Sequence, residues 1–395
     1  MGFFYPRFSA VADGTWGARP DLASSLTQIG VLRISFAFIG DFGHMHEGVA
    51  LVKRRRLVIY LLVLVFSSLL SSCGFHSSST QMSLASCDPR NGIGCHSLLV
   101  TQSDGSTVTR TYMLYVPASF QPGSSGLVLS LVGTGGTGLQ QEAWTQLDTS
   151  ADKYGFAVAY PDSLPSPYFS GDTAWNTYFD QPAWPGNTAP DDIAFLRQLI
   201  TTEQINLKIN PKMIYVSGHS SGGFMAQRAG VELSDIVAAI APLSSSLSVT
   251  LPLAGSVGQT VPAQKAPVSV LILEADGDAI IPYCGGAVST SAGAVVPSQD
   301  ETFNYWASAA ANSCTKLDTN ASLCNGSGAP ASLIEKDASN CANNTEVKIY
   351  RLVGGIHTTD YGTPNLSPFN SDLNGTTGTM TNDVLWKFFA SHPKL

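Results

Sequence analysis

Residues 215–226 read YVSGHSSGGFMA, three serines and three glycines behind a short apolar run. Within it, Gly218-His219-Ser220-Ser221-Gly222 fits the pattern GxSxG. The run before it, MIYVS, has the β-branched and aromatic content of a buried strand, and FMAQRAGVEL after it suits a helix. A strand, a tight turn and a helix around GxSxG form a nucleophile elbow, in which strained backbone lifts one serine hydroxyl above a sheet. The glycines leave room for so sharp a bend. The bland alternative is a flexible structural turn.

Working outward, short apolar runs recur at 127–132, 156–161, 237–243 and 268–275, and EVKIYRLVGG at 346–355 completes the set. TVTRTYMLYVP, 107–117, alternates polar and apolar residues and is expected to be an outer strand. Helical patterns lie between: 189–205, 300–311 and 381–392, the first preceded by capping-box spacing at Thr188-Ala189-Pro190-Asp191. Strands alternating with helices predict an α/β fold, the α/β-hydrolase type, with a mainly parallel central sheet and helices on both faces. GTPNLSPFNSDLNGTTGTMT, 362–381, is expected to be one long polar loop.

A serine hydroxyl becomes a nucleophile only when a base takes its proton and a carboxylate orients that base. In this architecture the order is serine, acid, histidine. His44, His46 and His76 lie in the leader or tether, His96 precedes the sheet, His219 sits inside the elbow, and His392 is near the end. His357, in LVGGIHTT after the last strand, remains as the base. The acid is sought in VSVLILEADGDAIIPY, 268–283, which offers Glu274, Asp276 and Asp278. Asp278 lies furthest onto the loop and is preferred, although spacing alone does not exclude Asp276. Two backbone donors are expected for an oxyanion: the N–H of Ser221, and that of Thr134 in GTGGTG, 133–138. A phosphate cradle is the alternative for GTGGTG, but neither the Lys-Ser/Thr of a P-loop nor the acid of a dinucleotide site accompanies it. No metal and no cofactor is implied.

Before the folded part, KRRR at 53–56 leads into LVIYLLVLVFSSLL at 57–70. A basic patch, an apolar run and small residues describe a secretory signal, and the run is short of the roughly 20 residues a membrane-spanning helix needs. LSSC, 70–73, resembles a bacterial lipobox, making Cys73 the expected lipidation site; ordinary signal cleavage nearby, with Cys73 incidental, is the alternative. Met45 would begin a leader of ordinary proportions, so translation is expected to start there rather than at Met1. The expected organisation is a leader over 1–72, a lipid anchor and tether over 73–95, and a catalytic domain over 96–395. The leader holds seven of the 21 basic and four of the 29 acidic residues, leaving 14 against 25 and a balance of −11. Such an acidic chain lacks the footprint of a nucleic-acid binder, so no nucleic-acid partner is expected, and its membrane contact is through the lipid alone. Setting Cys73 aside, six cysteines fit an oxidising compartment outside the cytoplasm and allow 15 pairings. Cys87–Cys95 is expected as a local staple, with Cys314–Cys341 and Cys284–Cys324 tying later loops.

Together GFAVAYPD (155–162), AWN (174–176), DDIAFLRQLI (191–200), IYVSGHSSGGFMA (214–226), DGDAIIPY (276–283) and GGIH (354–357) resemble the secreted esterases grouped with polyhydroxybutyrate depolymerases, feruloyl esterases and acetylxylan esterases. The likeness runs over about residues 107–390. It implies an ester substrate, small or polymeric, with Ser220 as nucleophile, Asp278 as acid and His357 as base. It places Trp175 of AWN at the acyl cleft as a substrate-binding residue, against the alternative of a packing tryptophan, and is consistent with Cys314–Cys341. Val132-Gly133 stands where the family usually has His-Gly, a departure that bears on oxyanion-loop orientation and substrate preference. The appended polymer-binding domain often found in extracellular polyester depolymerases is not read here, which tilts the expectation toward feruloyl or acetyl groups on plant polysaccharide, or soluble oligoesters. A peptidase or thioesterase of the same fold, or a non-catalytic binding protein with a decayed site, are the competing readings.

Overall fold

The computed structural model describes residues 93–102, 104–166, 172–177, 189–247, 263–289, 295–317, 324, 333–352, 355–357 and 381–395. The chain divides into two units, residues 1–79 and 80–395, and every described residue lies in the second. The expected leader, the Met45 start, Cys73, Cys87 and the loop at 362–380 lie outside the described residues.

Ten strands among the described residues share one sheet. In chain order they are β1 (Ile93–Thr101), β2 (Thr107–Tyr115), β3 (Leu127–Leu131), β4 (Ala157–Pro161), β5 (Ile214–His219), β6 (Ala239–Leu243), β7 (Ser269–Ala275), β8 (Lys316–Leu317), β9 (Leu333–Ser339) and β10 (Val347–Leu352). The spatial order is β1-β2-β4-β3-β5-β6-β7-β10-β9-β8. From β4 to β10 every pairing is parallel, and antiparallel strands close both ends. The helices are α1 (Gly138–Thr145), α2 (Leu147–Tyr154), α3 (Asp192–Asn206), α4 (Ser221–Glu232), α5 (Gln299–Ala307) and α6 (Thr381–Ser391). This crossed strand order, with a serine turn leading from β5 into α4, is the α/β-hydrolase fold.

The two-residue period of the strands sorts their side chains onto two cores. Leu127, Leu129 and Leu131 of β3, with Ile214 and Val216 of β5, pack against Phe195, Leu196 and Leu199 of α3 and Met225 of α4. Val128, Tyr215, Leu271 and Leu273 face the other way, onto Trp144 of α1, Leu147 of α2, and Leu385, Trp386 and Phe389 of α6. The central strands read as continuous apolar runs because both faces are covered, and each fully buried large side chain contributes about 1.5–3 kcal/mol.

Several expectations shift at the edges. Residues 107–115 form a strand, but β1 pairs with it residue for residue outside it. Since β1 opens at Ile93, the folded region begins before the expected boundary at residue 96. The cap of α3 is Asp191, whose side chain accepts the Ala194 N–H at 2.9 Å, not a box begun at Thr188. A capping box is instead found at α1, where Thr137 and Gln140 satisfy each other's backbone N–H groups, and at α5 between Ser298 and Glu301.

Candidate active site

The elbow follows from steric necessity. Ser220 stands at φ 53°, ψ −122°, and its N–H donates to the Leu243 carbonyl of β6 at 3.0 Å. Few non-glycine residues adopt that backbone, and it costs on the order of 1–3 kcal/mol. The two glycines of GxSxG make room for it. A Cβ on Gly218 would lie 2.3 Å from the Gly222 carbonyl oxygen, and one on Gly222 would lie 2.1 Å from the Leu131 carbonyl oxygen. The elbow is therefore pressed against the end of β3. Ser221, the first residue of α4, points its N–H out of the helix end, where no intrahelical acceptor exists.

The structure brings the three residues of the expected triad together. Ser220 Oγ is 3.1 Å from His357 Nε2, and His357 Nδ1 is 2.6 Å from Asp278 Oδ2. Asp278 Oδ1 accepts the Ile280 and Ile281 N–H groups, each at 2.8 Å. A carboxylate so surrounded by donors fixes the tautomer: Nδ1 carries the ring proton, and Nε2 is left to accept from the serine hydroxyl. His357 and Asp278 are both buried, whereas Ser220 is half-exposed.

The other two acids of this segment have different partners. Asp276 Oδ2 accepts from Arg351 of β10 at 2.8 and 3.0 Å. Glu274 is fully buried, and its Oε2 accepts the Ser245 N–H at 2.7 Å. Backbone bonds from Asp276 N–H to Leu352 O and from Gly277 N–H to Gly355 O join the acid's turn to the histidine's turn.

His219, inside the elbow, takes no part in this chain of bonds. It is buried between Trp144, at 4.6 Å between ring centroids, and His357, at 4.9 Å, and both ring nitrogens lack hydrogen-bond partners among the described residues. Burial, then the neighbouring His357, hold its pKa well below the usual imidazole range, so it stays neutral.

Trp175 requires a correction. It does not open onto a cleft; it is 1% exposed. Its indole Nε1–H donates to the Val132 carbonyl at 2.8 Å, and its backbone N–H donates to Ser221 Oγ at 3.2 Å. The next residue, Asn176, donates its N–H to Asp192 Oδ2 at 2.7 Å, and Asp192 Oδ1 binds Arg110 at 2.6 Å in an ion pair with both side chains fully buried. Sequence reasoning missed this brace because Arg110 and Asp192 are 82 residues apart. On the turn after β3, Gly135 N–H donates to Thr173 O and Gly136 N–H to Gly133 O, with half-buried Thr134 between Gly133 and Gly135.

The cysteines divide. Cys314 and Cys341 are bonded to each other, joining the turn after α5 to the turn before β10. Cys95 is disulfide-bonded, and Cys87, its expected partner, lies outside the described residues. The expected Cys284–Cys324 bridge is not formed: both are free thiols. Cys284 Sγ sits 3.7 Å from the Cys324 carbonyl oxygen and Cys324 Sγ 3.9 Å from the Tyr283 carbonyl oxygen, so the two thiols are neighbours without being bonded. Among the described residues no group of three or more His, Cys, Asp or Glu side chains is placed to hold a metal ion, and no helix is long and apolar enough to cross a membrane.

Comparison with known proteins bears out the resemblance read from the motifs. Residues 110–255 match the family model described as Esterase PHB depolymerase. The chain is 28% identical over 225 residues to feruloyl esterase B of Piromyces equi, covering 56% of this chain and 37% of that protein. It is 30% identical over 135 residues to a bifunctional acetylxylan esterase/xylanase of Neocallimastix patriciarum, covering 34% of this chain and 18% of that protein. The chain thus spans less than half the length of these curated relatives. An acetyl xylan esterase from Aspergillus awamori overlays with a TM-score of 0.46 at 15% identity, covering 75% of this chain and 99% of that structure.

Proposed function

We infer that the chain is a serine esterase hydrolysing carboxylic esters through Ser220, His357 and Asp278. The observation that carries this reading is the 3.1 Å approach of Ser220 Oγ to His357 Nε2, with Asp278 directly behind the ring. Ser220 Oγ attacks the ester carbonyl carbon while His357 Nε2 takes its proton, and Asp278 steadies the imidazolium that forms. The tetrahedral oxyanion is held by the Ser221 N–H and by the stretch Gly133–Thr134, with the Thr134 N–H as the second donor, because the N–H groups of Gly135 and Gly136 are already engaged. His357 then gives its proton to the departing alcohol, and water repeats the sequence in reverse to release the acid.

The substrate class is proposed from the relatives' names: feruloyl or acetyl esters of plant polysaccharide, with hydroxyalkanoate oligoesters as the other arm. Parallel assays on methyl ferulate, acetylated xylan and polyhydroxybutyrate separate them. Hydrolysis of p-nitrophenyl acetate by the wild type, lost in Ser220→Ala with the fold retained, is the expected result; unchanged turnover in that variant removes the assignment. The same reading places the enzyme outside the cytoplasm, after cleavage of a leader over 1–72 and lipidation of Cys73. The supporting observations are the basic-apolar-small pattern of 53–73 and the presence of disulfides. Incorporation of labelled palmitate, abolished by Cys73→Ala, checks the anchor.

A further inference from the structure

Four residues before Asp278, Glu274 ends β7 with its carboxyl group fully buried. Oε2 accepts the Ser245 N–H at 2.7 Å, but Oε1 receives no hydrogen bond from any N–H or O–H among the described residues. Glu274 lies near enough to Asp278 for the two carboxyl groups to act on each other's charge. Two carboxylates that close inside a protein cannot both be charged, and the proton goes to whichever is less well solvated as an anion. Asp278 takes three N–H groups, from Ile280, Ile281 and His357, whereas Glu274 has those of Ser245 and, more weakly, Ala275.

The remaining ionisable groups nearby do not reverse this order. Tyr283 is held neutral, its pKa pushed up by burial. Arg351, the register partner of Glu274 on β10, gives its guanidinium to Asp276. His357 reaches Glu274 only through Asp278. Burial, then the Asp278 charge, accordingly hold the Glu274 carboxyl well above the usual carboxylate range.

We propose that Glu274 is a positioning residue of the site: a neutral carboxylic acid whose Oε1–H donates to the Asp278 carboxylate, extending the hydrogen-bonded chain to Ser220–His357–Asp278–Glu274. The inference rests on the triad reading above and deepens it. A donor behind Asp278 fixes the orientation of that carboxylate. It also draws off part of the carboxylate charge that faces the His357 ring.

Glu274→Gln and Glu274→Met test this. Glutamine keeps a donor toward Asp278 and an acceptor for Ser245, and kcat should stay within about threefold of wild type; methionine keeps neither, and kcat should fall about tenfold with KM unchanged. With the donor gone, Asp278 holds more charge, so the acid limb of the kcat/KM profile should move to higher pH in Glu274→Met and not in Glu274→Gln. A methionine variant that loses thermal stability while its acid limb stays in place shows a structural role only and overturns the proposal. A spectroscopic readout needs no turnover and stands apart from the esterase reading. At neutral pH, the infrared spectrum of wild type minus Glu274→Gln should contain the C=O stretch of a protonated carboxylic acid, and its absence overturns the proposal even in a fully active enzyme.

Discussion

The indole N–H of Trp175 donates to the Val132 carbonyl at 2.8 Å, tying a buried tryptophan to the residue that begins the loop after β3. Through Asn176 the same segment is anchored on the Arg110–Asp192 pair in the core. The loop after β3, proposed to supply an oxyanion donor, is therefore held from behind by buried hydrogen bonds. Trp175→Phe keeps most of the volume, removes the donor and leaves the Val132 carbonyl buried without it. A fall in kcat of about tenfold, with KM little altered for both small and bulky acyl esters, is expected in steady-state kinetics. A KM that rises only for bulky acyl groups would mean that Trp175 shapes the acyl cleft.

Arg351 and Asp276 join the strand leading to His357 with the turn leading to Asp278. Both side chains are largely buried, so Arg351→Met takes the guanidinium away from the Asp276 carboxylate, a change expected to cost about 3 kcal/mol of stability. The His357–Asp278 register should loosen as well. Urea denaturation gives the first effect, and the kcat of the folded fraction gives the second. Arg351→Lys, which keeps the charge and loses the planar fork, should fall between wild type and the methionine variant.

The fit of the elbow against β3 makes Gly222 intolerant of the smallest side chain. In Gly222→Ala the added Cβ meets the Leu131 carbonyl oxygen at 2.1 Å, which requires the backbone to move. Loss of soluble expression, or of activity together with a lowered Tm, is the expected result. A variant as active and as stable as wild type would show that the turn is not packed as described.

One carboxyl outside the site gives a pH dependence. Asp148 at the start of α2 is raised to about 7, chiefly by burial and also by the facing carboxyl of Glu142, while Tyr160 donates to it at 2.5 Å. An acid whose folded pKa lies above its unfolded value keeps its proton when folded, between roughly pH 4 and 7, and sheds it on unfolding. Its contribution to stability is therefore most favourable at the acid end and is lost as pH rises through that window. Asp148→Asn removes the dependence. Its Tm relative to wild type should climb from pH 4 to pH 7 and level off above, and a difference that is flat with pH would contradict the assignment.

The parts legible in the sequence are those where local pattern and global fold agree. MIYVS before GxSxG announces a buried strand and a strained turn because both faces of β5 are covered and the turn demands glycine. His357 could be reached by elimination. The acid could not be settled by spacing: Asp276 and Asp278 are two residues apart, and what separates them is Arg351, 75 residues downstream, which takes the first and leaves the second to His357. α1 and α2 were hidden behind GTGGTG, whose glycines read as loop although Thr137 and Gln140 form a capping box there. β1 carries no apolar run to mark it, because its residues alternate in exposure along an edge, with Leu99 61% exposed. An even count of cysteines suggests pairing Cys284 with Cys324, and the two do lie side by side, but count carries no information about whether neighbouring thiols are bonded.

The central claim, that His357 makes the Ser220 hydroxyl reactive, is tested most directly by labelling with a fluorophosphonate and mapping the adduct by peptide mass. The account predicts a single adduct on Ser220 in the wild type. It also predicts that labelling slows at least a hundredfold in His357→Ala, whose melting curve should stay near that of the wild type. An adduct on another serine, or equally fast labelling of Ser220 without the imidazole, would contradict it.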